Sequence, residues 1–200
     1  MVDVFSLGEF RMNIKNKTGM SLDALIECVK SGHFGSKIRG YWDIECIGLD
    51  GSIRWTDKIE NIVVNAGLNH ILSAVLAAGT QITAWFVGLT AATPTAAAAD
   101  TMASHAGWTE VHTDYSQGTR PAFTPGSVAS QSVDNSASKA QFSITGTVTV
   151  GGAFLVSNST KNGTTGTLFS IGAFSGGNRA LINGDTLNVQ ATFTQADDGV

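Results

Sequence analysis

The chain has 200 residues, of which 42% are hydrophobic, and its formal net charge is −4. This length suits one globular domain with a substantial core, and the mean hydropathy of +0.10 argues against disorder throughout the chain. The slightly acidic balance gives no electrostatic case for nucleic acid as the main partner.

The first 38 residues are predicted to form an N-terminal arm with a short helix, and residues 39–200 to form a β body. Spaced apolar residues at positions 1–20 partly alternate, as they would in a strand that is added to the sheet of a neighbour. A disordered or self-packed tail is the alternative interpretation. The predicted partner-binding residues of the arm are Phe5, Phe10, Arg11, Met12, Ile14 and Lys15.

A hairpin and a helix are predicted next. The Asp50-Gly51 pair is a strong turn signal between two partly alternating runs, which predicts a β-hairpin. Residues 65–78 are predicted to be a helix that Asn65 caps, that Gly79 ends, and that covers one edge or end of the sheet structure. Its apolar side chains form a single stripe of Leu68, Ile71, Leu72, Val75 and Leu76.

The rest of the chain is predicted to be β structure joined by polar loops. Residues 85–89 read as a buried strand, and residues 90–107 as a long irregular loop. Alternation predicts one strand over residues 140–150 and another over residues 186–194. The many short strands indicate a mainly β fold, a β-sandwich of jelly-roll-like type. The inward residues of the last strand are expected to be Leu187, Val189, Ala191 and Phe193.

The charged residues are unevenly distributed. Residues 1–60 hold 17 of the 28 charged side chains, and the remaining 140 residues hold 11. A surface this poor in Lys and Glu resembles the interior of an interface more than a freely solvated face. A Ser/Thr-rich β-protein without such an interface is the alternative. Cys28 and Cys46 lie in apolar patterns and are predicted to be buried free thiols rather than a disulfide.

No sequence motif indicates an enzyme. The chain contains no G-x-S-x-G, P-loop or H-E-x-x-H, so we expect no catalytic residue and no cofactor. Trp55 and Trp108 are predicted to be exposed, where they would suit a sugar, and Trp42 and Trp85 to pack in the core. One polar group has the residue types of a metal site, although a hydrogen-bonded loop is the favoured interpretation. It consists of Asp100, His105, Glu110, His112 and Asp114.

Four segments of the β body carry a known combination of motifs. The helix opening Asn65-Ala-Gly-Leu-Asn-His-Ile-Leu is similar to N-x-G-L-x-x-L, and Trp85-Phe-Val-Gly-Leu is similar to W-Y/F-V/I-G-L. A central loop begins Asp100-Thr-Met-Ala-Ser-His and is followed by Arg120-Pro, and the ending contains Gly184-Asp-Thr-Leu-Asn-Val. In this combination the chain from about residue 60 to about residue 195 resembles small virion structural proteins of tailed bacteriophages.

This resemblance implies a capsid decoration (cement) protein that stabilises the head by binding the major capsid protein and copies of itself, as a trimer. It implies a location in the virion after assembly in the host cytoplasm. It carries over no catalytic, cofactor or metal residue, and we expect no nucleic-acid, membrane or small-molecule partner. A tail protein, such as a head–tail adaptor or fibre-attachment protein, is the alternative. A glycan-binding module on the virion surface is the second alternative.

Overall fold

A computed structural model describes residues 37–196, so all but the last two residues of the predicted arm and short helix (residues 1–38) lie outside this range. Within this range the chain forms twelve strands, one α-helix and one 3-10 helix. The helix α1 is Asn65–Leu76, and the 3-10 helix is Ser136–Ser138. The strands are β1 (Lys37–Ile47), β2 (Ile53–Val63), β3 (Trp85–Thr90), β4 (Glu110–Val111), β5 (Ala122–Phe123), β6 (Ser132–Asp134), β7 (Ala140–Ser143), β8 (Val148–Val150), β9 (Gly152–Val156), β10 (Leu168–Ala173), β11 (Arg179–Leu181) and β12 (Thr186–Ala196).

Strands β1 and β2 form the predicted antiparallel hairpin, in which Gly40 lies opposite Asn61. Asp50 holds the turn, because its Oδ1 accepts hydrogen bonds from the backbone N–H of Ser52 at 3.0 Å and from its hydroxyl at 2.7 Å. Gly51 supplies the left-handed φ of 81° at the turn, which a residue without a Cβ adopts at no steric cost. The hairpin prediction is confirmed.

Ten strands form one antiparallel sheet in the order β4-β3-β9-β10-β2-β1-β12-β6, with β5 beside β3 and β7 beside β12. Strand β2 joins two halves of this sheet, because most of it pairs with β1 while its last residues, Ile62 and Val63, pair with β10. We name these the β1 half (β1, β2, β6, β7, β12) and the β9 half (β3, β4, β5, β9, β10). The sheet curls as a half-barrel, and β8 pairs with β11 in a small second sheet. The mainly β prediction is confirmed in this form.

The main hydrophobic core lies between the two halves of the curled sheet. It combines buried side chains of the β1 half, such as Trp42, with those of the β9 half, such as Leu155. Cys46 belongs to this core as a buried free thiol, as predicted. Strand β12 also turns its predicted inward residues into the core, because alternate residues of a strand face the same side. These are Leu187, Val189, Ala191 and Phe193.

A second, smaller core lies on the other face of the β9 half. Phe154 of β9 alternates with the main-core residues Ala153 and Leu155. It packs with Ile171 of β10 and with Val64, Met102 and Trp108. The start of α1 and the loop after β3 supply these covering residues. Strand β9 is therefore buried on both faces.

The single strand predicted at residues 140–150 is two strands in different sheets. Strand β7 pairs with β12, whereas β8 pairs with β11. Between them the backbone N–H of Ile144 donates to the carbonyl oxygen of Asp185 at 2.8 Å, and that of Thr145 donates to the carbonyl oxygen of Asp114 at 2.9 Å. These long-range bonds lead the chain from the large sheet to the small one, and alternation alone does not reveal them.

Helix α1 is confirmed, but its ends and contacts differ from the prediction. Asn65 is its first helical residue and not its cap, and Ala78 rather than Gly79 takes the left-handed φ of 53° after the helix. The buried residue of α1 is Gly67, where a Cβ would lie 2.5 Å from the carbonyl oxygen of Phe169. The helix therefore approaches the sheet through its glycine, because any side chain there would hold the two backbones apart.

The predicted apolar stripe of α1 faces solvent rather than the sheet. Leu68, Leu72, Val75 and Leu76 are exposed, and Leu76 leaves 78% of its surface in solvent, while Ile71 is half-buried. The periodicity of the stripe is as predicted, but the close approach at the glycine turns the other side of α1 to the sheet. No helix in the described part of the chain is long and apolar enough to cross a membrane.

Candidate interaction surfaces

The six residues predicted to bind partners through the arm lie outside the described residues, so their role stays a prediction. They are Phe5, Phe10, Arg11, Met12, Ile14 and Lys15. The described residues offer surfaces of their own in α1, at the β1–β2 turn and on the outer side of the β1 half.

The loop before β4 is held together by hydrogen bonds, as the sequence predicts. Asp100 Oδ2 accepts a hydrogen bond from the indole N–H of Trp108 at 3.2 Å and another from the backbone N–H of Ala97 at 3.1 Å. The ring of His105 stacks on Trp108 with 3.7 Å between the ring centroids, and its Nδ1 lies 3.1 Å from the Trp108 carbonyl oxygen. Asp100 and His105 therefore serve to fix the indole ring.

The other members of the polar group are held by different partners. His112 Nδ1 lies 3.2 Å from the carbonyl oxygen of Glu110, and Asp114 accepts a hydrogen bond from the hydroxyl of Thr113 at 2.8 Å. Across residues 37–196, no three His, Cys, Asp or Glu side chains are grouped as a metal ion requires. The structure does not bring the five residues together as one site.

Arg120 and Glu110 form a buried bidentate ion pair. Nε donates to Oε1 at 2.8 Å, and Nη2 donates to Oε2 at 2.6 Å. Arg120 also donates to the carbonyl oxygens of Asn158 at 2.8 Å and Gly163 at 3.1 Å, and the backbone N–H of Asn162 donates to Glu110 at 2.8 Å. These contacts are internal, so the pair fixes the loop after β9 against β4.

Lys161 fastens the same loop to the segment after β4. Its Nζ donates to the carbonyl oxygens of Tyr115 at 3.1 Å and Gln117 at 2.8 Å, and it lies 3.7 Å from the centroid of the Tyr115 ring. Burial lowers the pKa of Lys161 and raises the pKa of Tyr115. Both shifts follow from the role of this cluster in packing.

Asp185 accepts hydrogen bonds from three groups near the β1–β2 turn. Its Oδ2 accepts from the guanidinium of Arg54, from the backbone N–H of Ile182 at 2.9 Å and from the thiol of Cys46 at 3.8 Å. Burial and, after it, the charge of Asp185 raise the pKa of Cys46 to about 11. The thiol is therefore protonated at neutral pH, when it is a poor nucleophile.

The two tryptophans predicted to be exposed differ in their surroundings. Trp108 is buried, with 6% of its surface exposed, because His105 stacks on its ring and Phe154 lies 4.9 Å from its centroid. The prediction for Trp108 is therefore wrong, and its ring has no open face for a sugar. Trp55 is half-buried, and the guanidinium carbon of Arg179 lies 5.5 Å from its ring centroid.

The exposed stripe of α1 belongs to a larger uncharged surface, which we name the α1 face. It comprises the exposed residues of 62–84 and of 97–99, and the backbone N–H of Asn65 donates to the carbonyl oxygen of Ala98 at 2.8 Å, which places the two segments side by side. Residues 61–99 contain no Asp, Glu, Lys or Arg. The sequence prediction missed this face, although that long uncharged stretch is the signal that could have identified it.

A second apolar patch lies at the β1–β2 turn and consists of the exposed residues Leu49, Ile53 and Ile182. A Cβ at Gly184 would lie 3.2 Å from Leu49, which places the turn before β12 beside the hairpin turn. Strand β2 separates this turn patch from the α1 face. Its 11 residues span about 35 Å at roughly 3.3 Å per residue.

The outer side of the β1 half is charged. Lys58 and Asp43 form an ion pair at 3.6 Å, and both side chains are exposed. Lys58 also lies 4.3 Å from the ring centroid of Tyr41. A cleft of about 390 Å³ next to this pair is lined by both signs of charge, including Glu45 and Lys139. This surface resembles the solvated face of an ordinary antiparallel sheet.

No protein-family model and no curated protein matches this chain. The likeness to virion proteins therefore rests on the motifs, and the structure shows what several of the motif residues do. Five residues of these motifs are buried, where they take part in packing or in internal polar contacts and do not line an open site. These residues are Gly67, Gly88, Trp108, Arg120 and Asp185.

Proposed function

We propose that the protein is a structural component of a tailed-bacteriophage virion, namely a capsid decoration protein that binds the major capsid lattice and stabilises the head. The observation that carries this proposal is the α1 face, an exposed apolar and uncharged surface on a β body. Exposed apolar patches of this kind mark interaction sites in soluble proteins. The motif resemblance supplies the class of assembly.

The internal use of the polar side chains supports action by contact rather than by catalysis. Arg120 and Glu110 satisfy each other and the backbone of a neighbouring loop, and Asp185 is occupied by Arg54. The thiol of Cys46 is buried and protonated at neutral pH. We infer that these groups hold the fold while the surface performs the function.

A repeated shell suits a module with interfaces of modest size. Each subunit of a trimer on a lattice makes several contacts at once, so weak individual interfaces become strong together. The homotrimer predicted from the resemblance is retained in this proposal. So is the jelly-roll-like β-sandwich, with which a sheet that curls around one core is compatible.

Add-back to heads tests the proposal. Heads that lack the protein are mixed with the full-length purified chain, and occupancy is measured by electron cryomicroscopy. We expect saturation at a fixed ratio to the major capsid protein and a higher temperature for release of the packaged DNA. Absence of binding to heads would contradict the decoration role. Labelling of tails in the same preparation would favour the tail alternative.

Deletion of residues 1–20 tests the predicted arm separately. We expect lower occupancy and lower head stability, because the arm is predicted to add contacts with an adjacent subunit. The circular dichroism spectrum and the thermal transition of the free variant serve as the folding control. Unchanged occupancy together with unchanged head stability would contradict the arm hypothesis and leave the role of the body intact.

The glycan-binding alternative now depends on Trp55, because Trp108 is buried. A glycan array with the full-length protein, alongside the Trp55→Ala variant, decides it. Binding that the variant loses would support this alternative. Absence of binding by the unaltered protein would remove it.

A further inference from the structure

We propose that the α1 face packs against the same face of further copies of this chain around a rotation axis. The inference names the surface for the self-association that forms part of the proposed function, and it rests on that function for its biological setting. Three properties of the face carry it: its apolar character, its lack of charge and its size.

The apolar residues of α1 lie on the side of the helix that faces solvent, which is the reverse of the usual arrangement. A helix that serves only its own domain turns its apolar stripe inward and its polar side outward. Helix α1 instead contacts the sheet through Gly67 and exposes Leu72, Val75 and Leu76. The side of α1 that would normally be buried is therefore left uncovered by the other residues of the described range, 37–196.

The lack of charge makes the face compatible with itself. A rotation axis brings the same residues of two or three copies close together, so a charged side chain near the axis would meet its own sign. Residues 61–99 carry no charged side chain, so this conflict does not arise. A partner with a charged surface would instead lose hydration without gaining an ion pair. The outer side of the β1 half, with Lys58 and Glu60, has the opposite character.

The size of the face fits a contact of modest strength. Seventeen of its residues are exposed, close to the roughly 20–30 residues that each partner contributes to a standard interface. An interface slightly smaller than this range is expected to form in a concentration-dependent manner in solution. On a shell, where copies are held near one another, the same contact would be occupied throughout.

Charge substitution at Leu72 tests the contact. Leu72 lies in the middle of the exposed stripe, and both Glu and Lys favour helix, so the fold should be retained. We expect the unaltered full-length chain to associate in sedimentation velocity runs over a micromolar to millimolar range. Leu72→Glu and Leu72→Lys should each weaken this association by about tenfold or more, because like charges would meet at the axis. An equimolar mixture of the two variants should associate again.

Two control variants locate the effect. Ile53→Glu changes a residue of the turn patch with 60% exposure, against 57% for Leu72, and should leave association unchanged. Val128→Glu changes an exposed apolar residue of a loop and should also have no effect. An equal loss with Ile53→Glu would indicate a head-to-tail contact between the turn patch and the α1 face, and would overturn the proposal.

Other outcomes would also overturn the inference. A chain that stays monomeric at every concentration, or Leu72 variants that associate like the unaltered chain, would do so. Failure of the mixed Leu72→Glu and Leu72→Lys variants to associate would also overturn it. So would a monomer that binds phosphatidylcholine vesicles and loses this binding when Leu72 is substituted. The capsid add-back separates this failure from that of the proposed function. A monomer that binds heads would refute only the contact between α1 faces. An oligomer that does not bind heads would refute only the decoration role.

Discussion

The two halves of the curled sheet differ in what covers their outer faces. Strand β1 alternates between buried and partly exposed residues, as expected for a strand with one face in water. Strand β9 is buried at all five positions, because the main core lies on one side and the loop after β3 and the start of α1 lie on the other. The same sheet therefore contains a strand with one wet face and a strand with none.

This difference separates two causes of a low charge content. Charge is sparse in strands β9 and β10 because both of their faces are dry, and this part of the composition says nothing about partners. Charge is also absent from the α1 face, but the residues of that face are exposed, so burial does not explain the absence. The low charge content can therefore support the proposed interface only at the α1 face and not in the sheet beneath it.

The largest effect is expected at the buried ion pair of the β9 half. Arg120→Ala leaves Glu110 buried without its cation and should lower the free energy of unfolding by about 3–5 kcal/mol. The matched control is Lys58→Ala in the β1 half, which removes an exposed pair with Asp43 and should cost about 0–1 kcal/mol. Urea unfolding measures both. Equal losses would contradict the contrast between a dry and a wet face.

A smaller effect is expected from added volume in the β9 half. A Cβ at Gly88 would overlap the ring of Phe154, which is fully buried, so Gly88→Ala should cost about 1–3 kcal/mol in the free energy of unfolding. Gly118→Ala is the control, because a Cβ at Gly118 meets no atom within 4 Å. Its expected effect on the thermal transition is close to zero. A neutral Gly88 variant would show that the second core is loosely packed.

The smallest effect concerns alkaline pH and the thiol in the β1 half. The pKa of Cys46 is about 11 in the folded chain against an ordinary value of 9.0, so the folded state holds this proton more tightly. The resulting stability is fully present below pH 9.0 and is lost as the pH rises towards about 11. Between about pH 8 and pH 10.5 the free energy of unfolding of Cys46→Ala should therefore fall by roughly 1–2 kcal/mol less than that of the unaltered chain. Identical pH dependence of the unfolding free energy in both chains would refute this assignment.

Features that depend on local chemistry were predictable from the sequence. The Asp50-Gly51 turn needs only a side chain that bonds to the next backbone groups and a glycine with a positive φ. The inward side of β12 follows from strict alternation along one strand. The presence of α1 follows from its periodicity, and the buried state of Cys46 follows from its apolar neighbours in β1.

Features that depend on distant partners were not predictable from the sequence. The break at Ile144 is set by the carbonyl oxygen of Asp185, which is 41 positions later in the chain. The burial of Trp108 requires Phe154, which lies in another strand. The outward direction of the α1 stripe depends on how closely Gly67 approaches Phe169. No pattern within one segment reports these contacts, so the uncharged stretch is visible in the sequence but the direction of the apolar stripe could be established only from the fold.

The place of β1 in the sheet has a consequence for synthesis. Strand β1 lies between β2 and β12, so the first and last strands of the described chain are neighbours. During translation the hairpin of β1 and β2 can form early, but the other edge of β1 stays open until β12 leaves the ribosome. An open strand edge is a site for pairing with other chains, and such non-local closure is intrinsically slow. The sheet is therefore completed only after the whole described range, residues 37–196, has been made.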